Sequence, residues 1–501
     1  MSSRQKRYGR HLSGNSAILF CASATVFLCC VGPKYIRPKT EIPDTFKEVQ
    51  GWKTAQPRDS VLRGEWWNIF NDPLLDSLEE QAAVSNQTIV VAEAQYRQAR
   101  AAVRASRAGY FPTVGAQGSF TRGQKSGTLV TVGNGAAKAG PTSSDFLLSG
   151  DVSWEPDFWG RVRRLVESNR AAAQASAADL ESVRLSVQAS LAQDYLQLRI
   201  QDEQKRILDS AVTAYQEFFD LTTKRYRSGV ASQADILQAQ TQLTTTQAQA
   251  IDAGVLRSQL EHAVAVLIGR PASAFSVAQA PQLPVVPVIP LAMPSELLER
   301  RPDVAGAERR VAAANAQIGV AEAAYFPNIT LGASGGYESG SFAQWFSLPS
   351  LVWSLGASAA GTLFDAGLRT AQVDETRAAY EATVGTYRQT VLIAFQEVED
   401  NLAALRILEQ ETQVEDEAVT AARQSVAVTV NRYNQGIASA LDVINTQTVE
   451  LNNLKASVVL LGNRISAALL LVKALGGGWD VSQLPSAGEV AKKEDKGAGK
   501  R

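Results

Sequence analysis

The sequence predicts a mainly α-helical fold with a membrane β component, and two observations carry this prediction. Two long stretches, 160–227 and 367–433, contain no proline and repeat apolar residues every seven positions, which is typical of packed long helices. Short segments in which small and apolar residues alternate precede each stretch. Such alternation fits strands of a membrane barrel.

The chain contains the same pattern twice. Lys224–Asp235 (KRYRSGVASQAD) aligns with Asn431–Asp442 (NRYNQGIASALD), at an offset of 431 − 224 = 207. Tyr110-Phe-Pro112 returns as Tyr325-Phe-Pro327, at an offset of 325 − 110 = 215. We therefore expect an internal duplication, with the second copy starting near Pro294.

Each copy has the same order of elements: a first helix, a β-hairpin, a long helix and a return helix. The first helix ends at Tyr-Phe-Pro because proline disfavours helix at the residue before it. The predicted ranges are 73–109, 114–120, 146–154, 160–227 and 233–268 in the first copy, and 294–325, 329–337, 351–359, 367–433 and 440–475 in the second.

The long helices and the few strands indicate an extended assembly of several chains. At about 1.5 Å per residue, each long helix spans roughly 100 Å. The strict seven-residue repeat predicts left-handed coiling against neighbouring helices. Four strands are too few for a membrane barrel, since known barrels start at about eight. Oligomerisation is therefore expected to close the barrel.

Composition excludes several classes of protein. The 501 residues include 49 Lys and Arg against 50 Asp and Glu, so no basic surplus favours nucleic acid as a partner. The only two histidines, His11 and His262, are far apart in sequence. The sequence shows no Cys/His metal cluster, phosphate loop or nucleophile elbow, so we expect no catalytic, cofactor or metal site and no enzyme activity.

The N-terminus predicts export. Basic residues within 4–11 precede an apolar run at 17–28, which is typical of a signal peptide over 1–28. Cys29 follows as the expected lipid-attachment residue, with Cys30 as the alternative. With Cys21 these are the only cysteines, so no disulfide network stabilises the exported chain.

Several motifs occur in the order and spacing of one family. They are Val31–Pro38 (VGPKYIRP), Trp66-Trp67, Asp72-Pro73, Glu299–Val304 (ERRPDV), Ala313–Gly319 (AANAQIG), Leu363–Gly367 (LFDAG) and the two Arg-Tyr-x-x-Gly turns. Over nearly the whole mature chain the sequence resembles the TolC-like outer-membrane efflux proteins, in particular their NodT/OprM-type lipoprotein branch.

The resemblance implies a homotrimer in the outer membrane that extends into the periplasm. Three chains would share a twelve-stranded β-barrel and an α-barrel of twelve helices, built from the repeats 73–270 and 294–475. Three further segments would form an equatorial belt: 29–72, the Pro-rich connector 271–293, and 476–501, of which the part after Ser486 is expected to be a disordered tail.

The resemblance also implies a function. The protein would be the passive exit duct of a tripartite efflux pump for drugs or other small toxic molecules. Its partners would be a periplasmic adaptor protein, an inner-membrane transporter of the RND type and outer-membrane lipid. The alternatives are a duct for type I protein secretion and a periplasmic coiled-coil protein without a transport function.

The candidate functional residues lie at the two turns between long and return helices. From their positions, Gly229 and Gly436 are expected to take positive φ, and Ser232 and Ser439 to cap the return helices. By resemblance these turns form the periplasmic tip, which closes as an iris and meets the adaptor. The expected adaptor-contact residues are Arg225, Tyr226, Gly229, Arg432 and Gly436.

The resemblance assigns a gate to the same tip. Three copies of Asp442 would form an acidic ring, and Asn445 replaces a second acidic residue that the family often has. Asp235 would accept a hydrogen bond from the hydroxyl of Tyr433 and latch the two hairpins together. Ala438 stands where the family often has an arginine of this latch. The alternative for both aspartates is a solvated charge in the first helical turn.

Aromatic residues mark the helix–strand junctions: Tyr110, Phe111, Tyr325 and Phe326. An interfacial belt at the lipid headgroups and packing at the junction explain these residues equally well.

Overall fold

A computed structural model describes residues 31–43, 45–48, 64–124, 126, 142–279, 283–287, 289 and 299–492. The expected signal peptide and both candidate lipid-bearing cysteines, Cys29 and Cys30, lie outside the described residues. The helices are α1 (Pro73–Ser85), α2 (Gln87–Ala108), α3 (Arg161–Arg227), α4 (Gln233–Leu267), α5 (Pro302–Ala323), α6 (Leu368–Asn434) and α7 (Ala440–Ala474). The strands are β1 (Thr113–Gln124), β2 (Thr142–Trp154), β3 (Asn328–Ser339) and β4 (Leu351–Ala360).

Two long helical hairpins dominate the fold, as predicted. The long helices α3 and α6 have 67 residues each, and the return helices α4 and α7 have 35 each. Each long helix starts directly after a glycine with positive φ, Gly160 at 82° and Gly367 at 89°. A residue with a Cβ atom is strained in this conformation, so both glycines fix the point where the sheet gives way to the helix.

The prediction of one continuous first helix in each repeat is wrong, because both helices are interrupted. Asn86 separates α1 from α2: its backbone is extended, and its side chain accepts hydrogen bonds from the backbone N–H groups of Thr88 and Ile89. Arg301 interrupts the second helix, after helical residues at 299 and 300, because Pro302 disfavours helix at the residue before it. The two breaks are 301 − 86 = 215 residues apart, which is the offset of Tyr-Phe-Pro.

The strands form one antiparallel sheet in the order β1-β2-β3-β4. Thr113 pairs with Ser153 at one end of β1 and β2, Trp154 pairs with Leu331 across β2 and β3, and Asn328 pairs with Ala360 across β3 and β4. Within the described residues β1 and β4 each have a single neighbour, so both long edges of the sheet are unpaired in one chain.

The main core runs along α3, α6 and α7, and Trp66 and α1 extend it. The seven-residue pattern of α7 is buried along its length: Ile444, Leu451, Val458, Ile465 and Val472 are all buried. By length and composition α7 could cross a membrane, but half of its most apolar window is buried inside this chain. Its apolar character therefore serves helix packing.

The predicted disorder after Ser486 is wrong for the described part of the tail. Val490 and Ala491 are buried against Val103 of α2 and Ala173 of α3. Arg107 donates a hydrogen bond to the carbonyl oxygen of Ala491 at 3.2 Å. This apolar pair holds the tail on the helices, which the polar composition of the segment does not reveal.

Candidate functional site

The two turns at the helix tips have the same backbone geometry. Gly229 and Gly436 have φ of 77° and 79°, which confirms the prediction. The N–H of Gly229 donates to the carbonyl of Tyr226 at 2.8 Å, and the N–H of Gly436 donates to that of Tyr433 at 2.9 Å. Such bonds satisfy the last carbonyls of a helix and end it at a defined residue.

Both return helices start with a capping box, which confirms Ser232 and Ser439 as N-caps. The hydroxyls of Ser232 and Ser439 accept the N–H of Asp235 and Asp442, each at 3.2 Å. In return, the carboxylates accept the serine N–H groups at 2.8 and 2.9 Å. Hydrogen bonds from the hydroxyl and backbone of Ser439 hold the pKa of Asp442 below its ordinary value.

The two hairpins meet at Tyr433, at the end of α6. Its ring centre lies 5.3 Å from that of Phe218 on α3, and the guanidinium carbon of Arg225 lies 4.3 Å from it. Arg225 also donates from Nη1 to the carbonyl oxygen of Tyr433 at 2.8 Å. The hydroxyls of Thr222 and Tyr433 are 3.4 Å apart. We call Phe218, Thr222, Arg225 and Tyr433 the tip latch.

The predicted hydrogen bond between Asp235 and Tyr433 is wrong within one chain. The carboxylate of Asp235 is engaged by the N–H and hydroxyl of Ser232, both at 2.8 Å. The N-terminus of its own helix stabilises the carboxylate of Asp235, so this carboxylate forms its hydrogen bonds within the cap and not across the tip. Arg225, for which an adaptor contact stays a prediction, links the two hairpins within the chain.

A sequence signal for Arg225 was present. An arginine precedes the tyrosine in both turns, as Arg225-Tyr226 and Arg432-Tyr433. A cation beside an aromatic ring at both tips is a reason to expect a contact between the cation of one repeat and the ring of the other.

The predicted gate residues of α7 face outward. Asp442 and Asn445 lie one turn apart and are exposed, and Asn445 carries no charge. Beyond them, Val230 and Ile437 are exposed at the extreme tips, and a Cβ atom on Gly229 or Gly436 would meet no atom within 4 Å. Each tip therefore offers a small apolar surface in open space.

The sheet has one apolar and one polar face, because neighbouring residues of a strand point to opposite sides. The register places large apolar side chains together on one face: Val114, Phe120, Phe146, Leu148, Val152, Trp154, Leu331, Tyr337, Leu351, Trp353 and Leu355. The other face is mostly polar and small: Thr113, Gln117, Ser119, Ser149, Asp151, Ser153, Thr330, Ser334, Glu338, Ser354 and Ser358. One face thus suits lipid and the other suits water.

Junction packing accounts for two of the four junction aromatics. The ring of Phe326 stacks on Trp159 at 4.7 Å. Tyr325 lies under Arg369 and donates its hydroxyl proton to Thr370 at 3.0 Å. Phe111 is exposed, which leaves the interfacial belt open for that ring. Among the described residues, no group of three or more His, Cys, Asp or Glu side chains is arranged to hold a metal ion.

Comparison with known proteins gives consistent matches. The family model described as "Outer membrane efflux protein" matches residues 78–270 and 293–477. The chain is 30% identical over 470 residues to the antibiotic efflux pump outer membrane protein ArpC of Pseudomonas putida, covering 92% of this chain and 96% of ArpC. It is 32% identical over 429 residues to the pyoverdine export outer membrane protein OpmQ of Pseudomonas aeruginosa, covering 83% and 87%.

Solved structures agree with these matches. The structure of the outer-membrane channel OprN superposes with a TM-score of 0.83 at 29% identity, covering 90% of this chain and all of OprN.

Proposed function

The chain belongs to the outer membrane efflux protein family, and from this premise we propose that it is the passive exit duct of a tripartite pump for drugs and other small toxic molecules. It is an outer-membrane efflux protein, and its family and relatives are ducts. One observation supports a duct most directly: a sheet with one apolar and one polar face is continuous with helical hairpins roughly 100 Å long.

Three copies would complete the barrel. The unpaired edges of β1 and β4 expose backbone N–H and C=O groups that have no partner within lipid. Pairing β4 of one copy with β1 of the next removes these edges, and three copies give twelve strands. The apolar face would then contact lipid, and the polar face would line the lumen.

The gate would lie at the helix tips. In a trimer, three copies of Asp442 would face one another as an acidic ring, which attracts cations and repels anions. Asn445 adds no charge one turn further on, so the ring holds a single layer of carboxylates. The tip latch around Tyr433 would keep the two hairpins of each copy together, and Asp235 would contribute through its helix cap.

The partners would be a periplasmic adaptor and an inner-membrane transporter of the RND type, which supplies the energy. The exposed Val230 and Ile437 offer apolar contacts for an adaptor at the two tips. Gly229 and Gly436 leave room for such an approach, and Tyr226 and Arg432 lie beside them, exposed in the single chain. Arg225 would meet the adaptor only if it left the ring of Tyr433. Anchoring to outer-membrane lipid through Cys29, or Cys30, completes this proposal.

The alternatives are less well supported. In a periplasmic coiled coil without a barrel, the apolar face of the sheet would be exposed to water. A duct for type I protein secretion fits the same architecture, but the relatives ArpC and OpmQ are named for antibiotic efflux and pyoverdine export, which are small-molecule cargoes.

Deletion of the gene in its host is the direct test. We expect the deletion strain to become more susceptible to several antibiotics and dyes, and the full-length chain to restore resistance. The purified protein should be an outer-membrane trimer that forms ion channels in planar bilayers. Unchanged susceptibility together with loss of a secreted protein would favour the secretion duct, and a soluble periplasmic protein would contradict any duct.

A further inference from the structure

The tip latch has a counterpart on the opposite flank of the chain. Adding or subtracting 207 converts three of its four residues into a second set with the same chemistry. Thr222, Arg225 and Tyr433 correspond to Thr429, Arg432 and Tyr226. The threonine, the arginine and the tyrosine are thus each present twice, but only the first set is assembled within one chain.

Burial shows that the second set lacks a covering surface. The assembled Tyr433 is 5% exposed, whereas its counterpart Tyr226 is 44% exposed. Ile444 on α7 is 8% exposed beside the latch, whereas its counterpart Leu237 on α4 is 54% exposed. Identical or similar side chains are therefore buried on one flank and open to solvent on the other.

Helix packing gives the geometry of the missing contact. Within the chain, α3 of the first repeat packs on α7 of the second. The counterparts of this pair are α6 and α4, which occupy the two outer flanks of the hairpin pair. Both helices carry exposed apolar residues: Ile251, Val255 and Leu256 on α4, and Leu392, Ile407, Val414 and Val428 on α6.

We propose that a second copy of this chain covers the open flank and repeats the latch between copies. Arg432 of one copy lies on the ring of Tyr226 of the next and donates to its carbonyl oxygen, and the hydroxyl of that tyrosine meets Thr429. This inference rests on the proposed trimeric duct and names the residues that join its copies at the tip. Latches within copies and latches between copies then alternate around the tip.

The two kinds of latch differ at one position. Phe218 contributes its ring to the latch within a copy, and its counterpart at 218 + 207 = 425 is Ser425. The latch between copies therefore lacks the aromatic contact. The tip accordingly opens between copies before the two hairpins of one copy separate.

Photo-crosslinking tests the proposed contact. The full-length protein carries p-azidophenylalanine in place of Tyr226, an aromatic replacement of similar size, and is irradiated as the purified assembly without adaptor. We expect crosslinked multimers whose joined peptide contains Thr429 or Arg432. The matched control replaces Tyr433 instead, and should crosslink within one chain to the region of Phe218.

The outcomes separate this inference from the proposed function. Crosslinks from position 226 that stay within one chain, or that map away from the end of α6, overturn the inference if the protein is still a conducting trimer. Absence of both trimer and conductance contradicts the proposed function itself.

The variant Ser425→Phe tests whether the latch between copies is the weaker of the two. It restores the missing ring between copies, and we expect it to lower the frequency of spontaneous channel openings. An unchanged or higher frequency, in a variant that still forms trimers, would show that the two latches do not differ as proposed.

Discussion

The same three charged positions occur in both repeats, but the burial and ion pairing of their side chains differ between the repeats. Arg199, Asp202 and Arg257 of the first repeat correspond, at the offset of 207, to Arg406, Glu409 and Arg464 of the second. The side chain of Asp202 is 4% exposed and accepts from Arg257 at 2.6 Å. The side chain of Glu409 is 65% exposed and lies 4.0 Å from Arg464.

The connector between the repeats causes this difference. Arg199 donates to the carbonyl of Ala278 at 2.9 Å, and Arg257 donates to that of Val277 at 2.7 Å. These connector residues cover the first set of charges. In the second repeat Arg406 instead reaches Glu48 of the N-terminal segment at 2.6 Å. Equal sequence patterns on equal helices therefore differ in energy according to the segment that packs on them.

The largest effect is expected for the buried carboxylate. Asp202→Ala leaves the partly buried Arg257 without its closest partner, and losing one member of a buried ion pair costs up to about 3–5 kcal/mol of unfolding free energy. Thermal unfolding of the purified protein in detergent, followed by circular dichroism, should show a markedly lower melting temperature.

Glu409→Ala is the matched control. Exposed ion pairs contribute roughly 0–1 kcal/mol, so its melting temperature should stay close to that of the parent protein. Equal destabilisation by both variants would contradict the difference between the repeats.

A second buried carboxyl group of the first repeat should make stability depend on pH. Glu79 on α1 is fully buried, and neither carboxyl oxygen has a hydrogen-bond partner among the described residues. Burial, with a smaller effect of Asp76, raises the pKa of Glu79 to about 9. The protonated form therefore stabilises the fold fully below the ordinary carboxylate pKa, and this contribution is lost as pH rises towards 9.

Glu79→Gln should remove that pH dependence. The neutral amide needs no proton, so the variant should avoid the loss of stability that the parent undergoes between pH 5 and pH 8, which is up to about 4 kcal/mol at about 1.36 kcal/mol per pKa unit. Melting temperatures of both proteins across this range provide the measurement. Parallel pH profiles would show that Glu79 is not protonated in the fold.

The tip latch should respond more to Arg225 than to the hydroxyl of Tyr433. Arg225→Ala removes a charge-assisted hydrogen bond, worth about 1.5 kcal/mol, and the cation over the ring, so channel openings in which the two hairpins of one copy separate should become roughly tenfold more frequent. Tyr433→Phe keeps the ring, the cation and the carbonyl bond, and loses only a 3.4 Å contact with Thr222. Single-channel recordings should therefore rank Arg225→Ala above Tyr433→Phe, and the reverse order would contradict the latch.

The smallest effect is expected at the helix caps, and there the two repeats should behave alike. Ser232→Ala and Ser439→Ala each remove an N-cap, which costs about 1 kcal/mol. Hydrogen exchange in the first turns of α4 and α7 should speed up equally. Unequal exchange in the two variants would show that tertiary contacts affect the two caps differently.

The cap of α7 should also make stability depend on pH. Because the pKa of Asp442 lies below its ordinary 3.8, the stability that this carboxylate contributes is present above pH 3.8 and is lost as pH falls below that value.

The sequence predicted the features that depend on neighbouring residues. The positive φ of Gly229 and Gly436, the capping serines and the lengths of the hairpins follow from short-range rules, and the structure contains them. The interruption at Asn86 was missed because a single asparagine in a long apolar pattern does not reveal that its side chain caps the next helix. The packed end of the tail at Val490 was missed because polar neighbours outnumber it.

By itself, then, the sequence determined the duplication, the helical hairpins, the alternating strands and the chemistry of both tips, because each depends on residues close together in the chain. Only the tertiary structure decided which copy of each feature is buried. It placed Arg225 on Tyr433, left Asp235 in its own helix cap, and covered Asp202 but not Glu409. The two patterns have different surroundings because the connector covers the charges of the first repeat, whereas Glu48 of the N-terminal segment reaches those of the second.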